Sequence, residues 1–233
     1  MVWSDTDSYT IPVDRVFERV CIHSMTTPAN PSPVLLSALE DHLAVVQQMG
    51  SSLVLLEEVA QRMYAAIRSG GKILWFGNGG SAADAQHLAA ELVGRFCRER
   101  RGLASIALTT DSSVLTSIGN DYGFDCIFSR QIEALCAPAD VVVGISTSGN
   151  SPNVCAGLLK AREIGAFTFA MTGRSGGRVL HLADRCLLVQ STEAARIQEA
   201  HIVAGHMLCD VVEHSFCRDT QVLPEADVVV SAK

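Results

Sequence analysis

Between Val34 and Ser69, apolar residues recur every three or four positions: Leu35, Leu36, Leu39, Leu43 and Val46, then Leu53, Leu56, Val59, Met63 and Ile67, with Gly50 separating the two sets. Residues three and four apart share one face of an α-helix, so the spacing predicts two amphipathic helices. Beyond residue 70 the period changes. "KILWFG" (72–77), "ASIALT" (104–109), "DVVVGIS" (140–146), "AFTFAMT" (166–172) and "RCLLVQ" (185–190) are short apolar runs rich in β-branched or aromatic residues. Helical segments separate them, at 81–93, 124–137, 152–164 and 194–217. Continuous apolar strands alternating with helices predict a doubly wound α/β domain: a five-stranded parallel sheet with helices on both faces, preceded by the two N-terminal helices. In such sheets ligands bind beyond the carboxyl ends of the strands, near the point where the strand order reverses. The loops 77–81, 109–121 and 146–151 are therefore expected on one rim.

Residues 1–32 end in "MTTPANPSP", where proline and threonine discourage regular structure, and are expected to be a disordered leader, with Met25 an alternative start. The domain itself is expected over 33–220, its sheet core at about 70–192 and its C-terminal helix at 194–217, followed by a tail at 221–233.

Composition narrows the function classes. A chain of 233 residues with 48% hydrophobic content can bury a sizeable core. A net charge of −7 argues against non-specific nucleic-acid binding, since no basic block accumulates to displace counterions. The densest basic cluster, Arg98, Arg100 and Arg101, has Glu99 in its midst and reads as a solvated surface turn. The eight cysteines form no CxxC pair, so buried, reduced thiols are expected. The first residues lack the basic and apolar regions of a signal peptide, and no stretch approaches the ~18 consecutive apolar residues that span a membrane. The expectation is a cytoplasmic protein with no membrane partner.

Candidate chemistry lies on the rim. "GISTSGNSPNV" (144–154) leaves a buried strand with Ser146, Thr147, Ser148 and Ser151 around Gly149, and Pro152 suits the first turn of the next helix. Hydroxyls, free backbone N–H groups and a helix N-terminus together suit a phosphate, although an ordinary capped turn has some of the same features. "GNGGS" (77–81), with Asn78, Gly79, Gly80 and Ser81, is a second such loop; Ala82 breaks the dinucleotide fingerprint and no P-loop lysine follows. On the helix after it, His87 and Glu91 are four residues apart and share a face, a spacing suited to one divalent metal or to an acid/base pair. The last helix carries Gln198, His201, His206 and His214, and spacing does not rank the histidines. Gln198 and His206 lie about 80° apart around the helix and roughly 12 Å along it, so they share a ligand only if they lean together or another subunit completes the site. In "GNDYGF" (119–124), the Asp121 carboxylate either accepts hydrogen bonds from sugar hydroxyls or simply forms a turn with Asn120.

Five ordered segments, "GNGGSAADAQHLAAELVGRF", "LTTDSSVLTSIGNDYGFDCIFSRQIEAL", "GISTSGNSPNV", "MTGRSGG" and "ARIQEAHIVAGH", give residues 33–220 a close resemblance to the phosphoheptose isomerases of the sugar-isomerase (SIS) domain superfamily, whose fold is flavodoxin-like. The resemblance implies that Asn78, Gly79, Gly80, Ser81, Asn120, Asp121, Ser146, Thr147, Ser148 and Ser151 bind substrate, the serine-rich loop taking the phosphate. It implies a zinc site, one per subunit, at His87, Glu91, Gln198 and His206, with Glu91 and Gln198 also touching substrate. It selects His206 over His201 and His214. It further implies isomerisation of sedoheptulose 7-phosphate to D-glycero-D-manno-heptose 7-phosphate through an enediol, the first step toward activated heptose for lipopolysaccharide or related glycans. Glu91 is expected as the base and His206 as its acid partner, in a homotetramer with pockets at subunit interfaces. A replication-initiation regulator shares this fold without catalysis, and an isomerase of another sugar phosphate would look similar; the regulator lacks the acid/base pair that Glu91 and His206 supply here.

Overall fold

The computed structural model describes residues 30–222, with side chains as far as Asp219. The expected leader up to Ala29 and the tail from Leu223 lie outside the described residues. The chain divides after Ser37 into two compact units. Of the first, the described part opens helix α1 (Pro33–Gln48), where the Ser32 carbonyl accepts from the amides of Leu35 at 2.9 Å and Leu36 at 3.2 Å.

In the second unit a 3-10 turn at Met49–Ser52 separates α1 from α2 (Leu53–Arg68), matching the expected break at Gly50. The sheet follows. Strands β1 (Ile73–Gly77), β2 (Ser105–Ala107), β3 (Val141–Ser146), β4 (Phe167–Gly173) and β5 (Arg185–Val189) are all parallel, in the order β2-β1-β3-β4-β5. The order reverses between β1 and β3, so the loops leaving these two strands flank the crevice where such folds bind ligands.

Alternation along each strand explains why both faces are covered. In β1, Ile73 and Trp75 enter the core formed with α2, α3 (Gly80–Val93) and α8 (Ala194–Val222), while Leu74 and Phe76 enter the opposite core with α5 (Ile127–Leu135) and α6 (Pro152–Ile164). Period-two side-chain placement makes a strand with helices on both sides apolar throughout. Trp75, fully buried, satisfies its indole N–H on Ser105 Oγ at 2.9 Å. Among the described residues, no helix is long and apolar enough to cross a membrane.

Four expectations are corrected. The stretch 109–121, expected as a rim loop, contains helix α4 (Ser112–Tyr122), capped by Asp111, whose carboxylate accepts from the Val114 amide at 2.9 Å. Its turn-forming serines and asparagine hid an N-cap followed by Val114, Leu115 and Ile118 at helical spacing. The last helix runs to Val222 rather than to residue 217, and a short α7 (Val179–Leu182) lies between β4 and β5. The turn 94–102 is not simply solvated, because the Arg100 side chain is only 4% exposed. The thiols are mixed: Cys155 and Cys209 are buried, but Cys97 is exposed.

Candidate active site

Helix α3 buries Ala85, Leu88, Ala89 and Leu92 against the sheet and α8. Its opposite face therefore turns Asp84, His87 and Glu91 away from that core, one or two turns apart. Helix α8 crosses α3 closely because Gly205 lies against Leu88: a Cβ at Gly205 would stand 2.4 Å from Leu88 Cδ1. The residue after that contact, His206, is thereby delivered to the residue before Leu88. His87 Nε2 and His206 Nε2 are 2.8 Å apart, and His87 Nε2 is 3.3 Å from Glu91 Oε1. One ligand atom from each of His87, Glu91 and His206 lies within 4.8 Å of the others. Two imidazole nitrogens at this distance can share only one proton, so at least one presents a lone pair. Two imidazoles and a carboxylate are a donor set that could hold a metal ion.

The other two histidines of α8 are placed elsewhere. His201 is fully buried, its Nε2 donating to the Thr172 carbonyl at 3.2 Å, and burial pushes its pKa down to about 4. His214 is exposed. Asp84, on the same face of α3 as His87, has one buried carboxylate oxygen with no hydrogen-bond partner, and desolvation raises its pKa despite the nearby His87.

The serine-rich loop is built as a cradle. Ser146 is buried at the end of β3, and its Oγ lies 3.0 Å from Ser151 Oγ. Ser151 is the N-cap of α6 with Pro152 in the first turn, as the sequence indicated. The Val179 amide donates to the Gly149 carbonyl at 3.0 Å and the Arg178 amide to Asn150 Oδ1 at 3.1 Å, so the start of α7, just after the "TGRSGG" segment, braces the loop. Thr147 and Ser148 stay half-buried at its mouth.

The glycine-rich loop stands beside it, with Gly79 at φ 56° before α3 and Ser81 buried in the first turn. Gln198 packs over this loop: a Cβ at Gly80 would lie 2.3 Å from Gln198 Nε2. Asn120 and Asp121 sit at the exposed end of α4, where Asn120 Nδ2 donates to Asp121 Oδ1 at 2.8 Å, so they pair with one another rather than with the His87 group.

One residue escaped sequence reasoning. Asn153, almost fully buried, forms a reciprocal amide pair with Asn78: Nδ2 of each donates to Oδ1 of the other at 2.8 and 2.9 Å. The pair ties the glycine loop to the first turn of α6, and hence the two rim loops to each other. Its only sequence signal was an asparagine just after a helix-starting proline.

Comparison with known proteins follows from this geometry. The SIS domain family model matches residues 40–173. A phosphoheptose isomerase of Aquifex aeolicus is 57% identical over 178 residues, covering 76% of this chain and 92% of the relative. A probable phosphoheptose isomerase of Thermoplasma acidophilum is 55% identical over 158 residues, covering 68% and 87%. The solved phosphoheptose isomerase of Neisseria gonorrhoeae superposes with a TM-score of 0.73 at 44% identity, covering 78% of this chain and 97% of that one.

Proposed function

The chain belongs to the phosphoheptose isomerases within the SIS-domain family, and from that premise we infer how its residues act on sedoheptulose 7-phosphate. It is an aldose–ketose isomerase, converting that ketose to D-glycero-D-manno-heptose 7-phosphate. The observation that carries the mechanism is the meeting of Glu91 and His206 from separate helices.

Isomerisation moves a proton from C1 to C2. Glu91 takes the C1 proton while protonated His206 donates to the carbonyl oxygen at C2, giving the 1,2-enediol. Glu91 then returns its proton to C2, and His206 removes the proton from the oxygen at C1, so both groups end as they began. Such a pair contributes on the order of 10² to 10⁴ in rate each. Ser146, Thr147, Ser148 and Ser151 hold the phosphate at the N-terminus of α6, where backbone N–H groups and the helix dipole favour an anion. Asn78, Gly79, Gly80, Ser81 and Gln198 hold the sugar from the side of β1, and Asn120 and Asp121 close it from α4.

Zinc, one per subunit, belongs to the same reading: His87, Glu91 and His206 would hold it with Gln198 as fourth ligand, and while His206 held it the charge of the metal would stand in for that of the imidazolium. Two imidazoles and a carboxylate fit it; the neutral amide is the weakest of the set. When bound, zinc supplies positive charge that stabilises the developing oxyanion. We also assign a homotetramer with pockets shared between subunits, supported by the exposed apolar side chains of Leu39, Leu53, Val54 and Met207 and by the openness of a site where the His87 side chain is 48% exposed. A cytoplasmic location, with the product feeding activated heptose for lipopolysaccharide or related glycans, completes the proposal.

The test is an assay of purified protein on sedoheptulose 7-phosphate, with pentose and hexose phosphates as competitors. Formation of the aldose heptose, abolished in His206→Ala, is the expected result. Turnover of a shorter ketose phosphate in preference would reassign the substrate.

A further inference from the structure

The turn after α3 carries arginines whose sequence context indicated a solvated surface, yet the Arg100 side chain is 4% exposed and Glu213 is fully buried. Arg100 Nε lies 3.2 Å from Glu213 Oε1. Burying such a pair rarely stabilises a fold more than apolar residues of the same volume, so its contacts bear on what it is for.

Those contacts end on the reacting groups. The Arg100 guanidinium donates through Nη2 to the carbonyl of Glu91 at 2.8 Å, and through Nη1 to the carbonyls of Leu92 at 2.9 Å and Gly94 at 3.0 Å. It thus caps the last turn of α3 at the residue that supplies the base. Glu213 lies two turns after His206 on the same face of α8. Its carboxylate accepts from three consecutive amides, Phe96, Cys97 and Arg98, each at 2.8 Å. Curling the chain around that carboxylate lays the Phe96 ring against the His206 ring, with centroids 5.4 Å apart and planes at 30°. Arg98 adds a bond to Asp210 at 2.5 Å, on α8 between His206 and Glu213.

We propose that the buried Arg100–Glu213 ion pair is a positioning device for the isomerase reaction: it sets the spacing between Glu91 and His206 through the α3 backbone and Phe96, without touching substrate. The proposal rests on the functional reading above. It separates the two ends of the substrate, because the phosphate loop at β3 is tied to the glycine loop at β1 by Asn78 and Asn153, not by this pair.

Glu213→Gln tests it, being isosteric and losing only the charge and one acceptor. In the full chain, kcat on sedoheptulose 7-phosphate is expected to fall by about ten- to a hundredfold, since misplacing a reacting group by about 1 Å costs that much. KM and competitive inhibition by inorganic phosphate should stay within about twofold, marking loss of an interaction with the transition state alone. The His206 ring resonances, followed with isotope-labelled histidine, should move as the Phe96 ring is released. Should Glu213→Gln fail to fold, Phe96→Leu severs only the tie to His206 and carries the same three expectations. Unchanged kcat in a folded variant overturns the proposal, and so does a fall in kcat matched by an equal loss of phosphate inhibition, which a general loosening would give. A parent protein that does not turn over the heptulose defeats the functional reading instead; the histidine resonances then still decide, and if they do not move in the variant the positioning role is refuted.

Discussion

The loops leaving β1 and β3 hold their polar groups within short stretches of chain, Asn78 to Ser81 and Ser146 to Ser151, whereas Glu91 and His206 meet from separate helices, one in the last turn of α3 and the other near the middle of α8. The loops rely on backbone amides and hydroxyls, whose positions follow from the turn and from the helix start. The helical groups rely on side chains, so their mutual placement depends on how closely α3 crosses α8. Gly205 permits the crossing and the Arg100–Glu213 pair holds its far end. A local site tolerates distant change; an assembled one transmits it.

The largest effect should come from the assembled end. Glu91→Gln is expected to lower kcat by roughly 10² to 10⁴ while inhibition by inorganic phosphate persists, because only the proton-accepting oxygen is lost. Parallel loss of phosphate inhibition in that variant would erase the distinction between the two ends.

Acid should loosen the scaffold beneath both. Burial depresses the His201 pKa from 6.5 to about 4, so the fold favours the neutral ring. That contribution is fully present above pH 6.5 and is lost as the pH falls through 6.5 toward 4, amounting to roughly 3 kcal/mol. Denaturant unfolding across this range should show a loss that His201→Gln lacks.

Asn153→Ala tests the local end. It leaves the Asn78 amide unpaired, a cost of about 1 to 3 kcal/mol, and should raise both KM and the inhibition constant for phosphate about tenfold while kcat changes little. A kcat effect as large as that of Glu91→Gln would mean that the two ends move together.

The smallest effect is expected at Asp84. Desolvation raises its pKa, so the ionised form at neutral pH is the less stable one in the fold, and stability is gained as the pH falls through that raised value. Asp84→Asn should therefore stabilise the protein slightly at pH 7, a gain that disappears in acid, as chemical unfolding would report.

Alternation of apolar strands with amphipathic helices was enough to determine the doubly wound sheet, its two-faced core and the two rim loops, because period-two and period-3.6 burial are local properties written into consecutive residues. Helix α4 escaped because serine, threonine and asparagine serve caps and turns alike, and only the bond from the Val114 amide to Asp111 distinguishes the two. Spacing along α8 left His201, His206 and His214 equivalent. Tertiary structure separated them: one is buried beneath Thr172, one meets His87 and one faces solvent. It also decided that Arg100 is interior and that Asn153 answers Asn78, since the partner of a buried charge or amide lies far away in the chain and is found only when packing brings the two together.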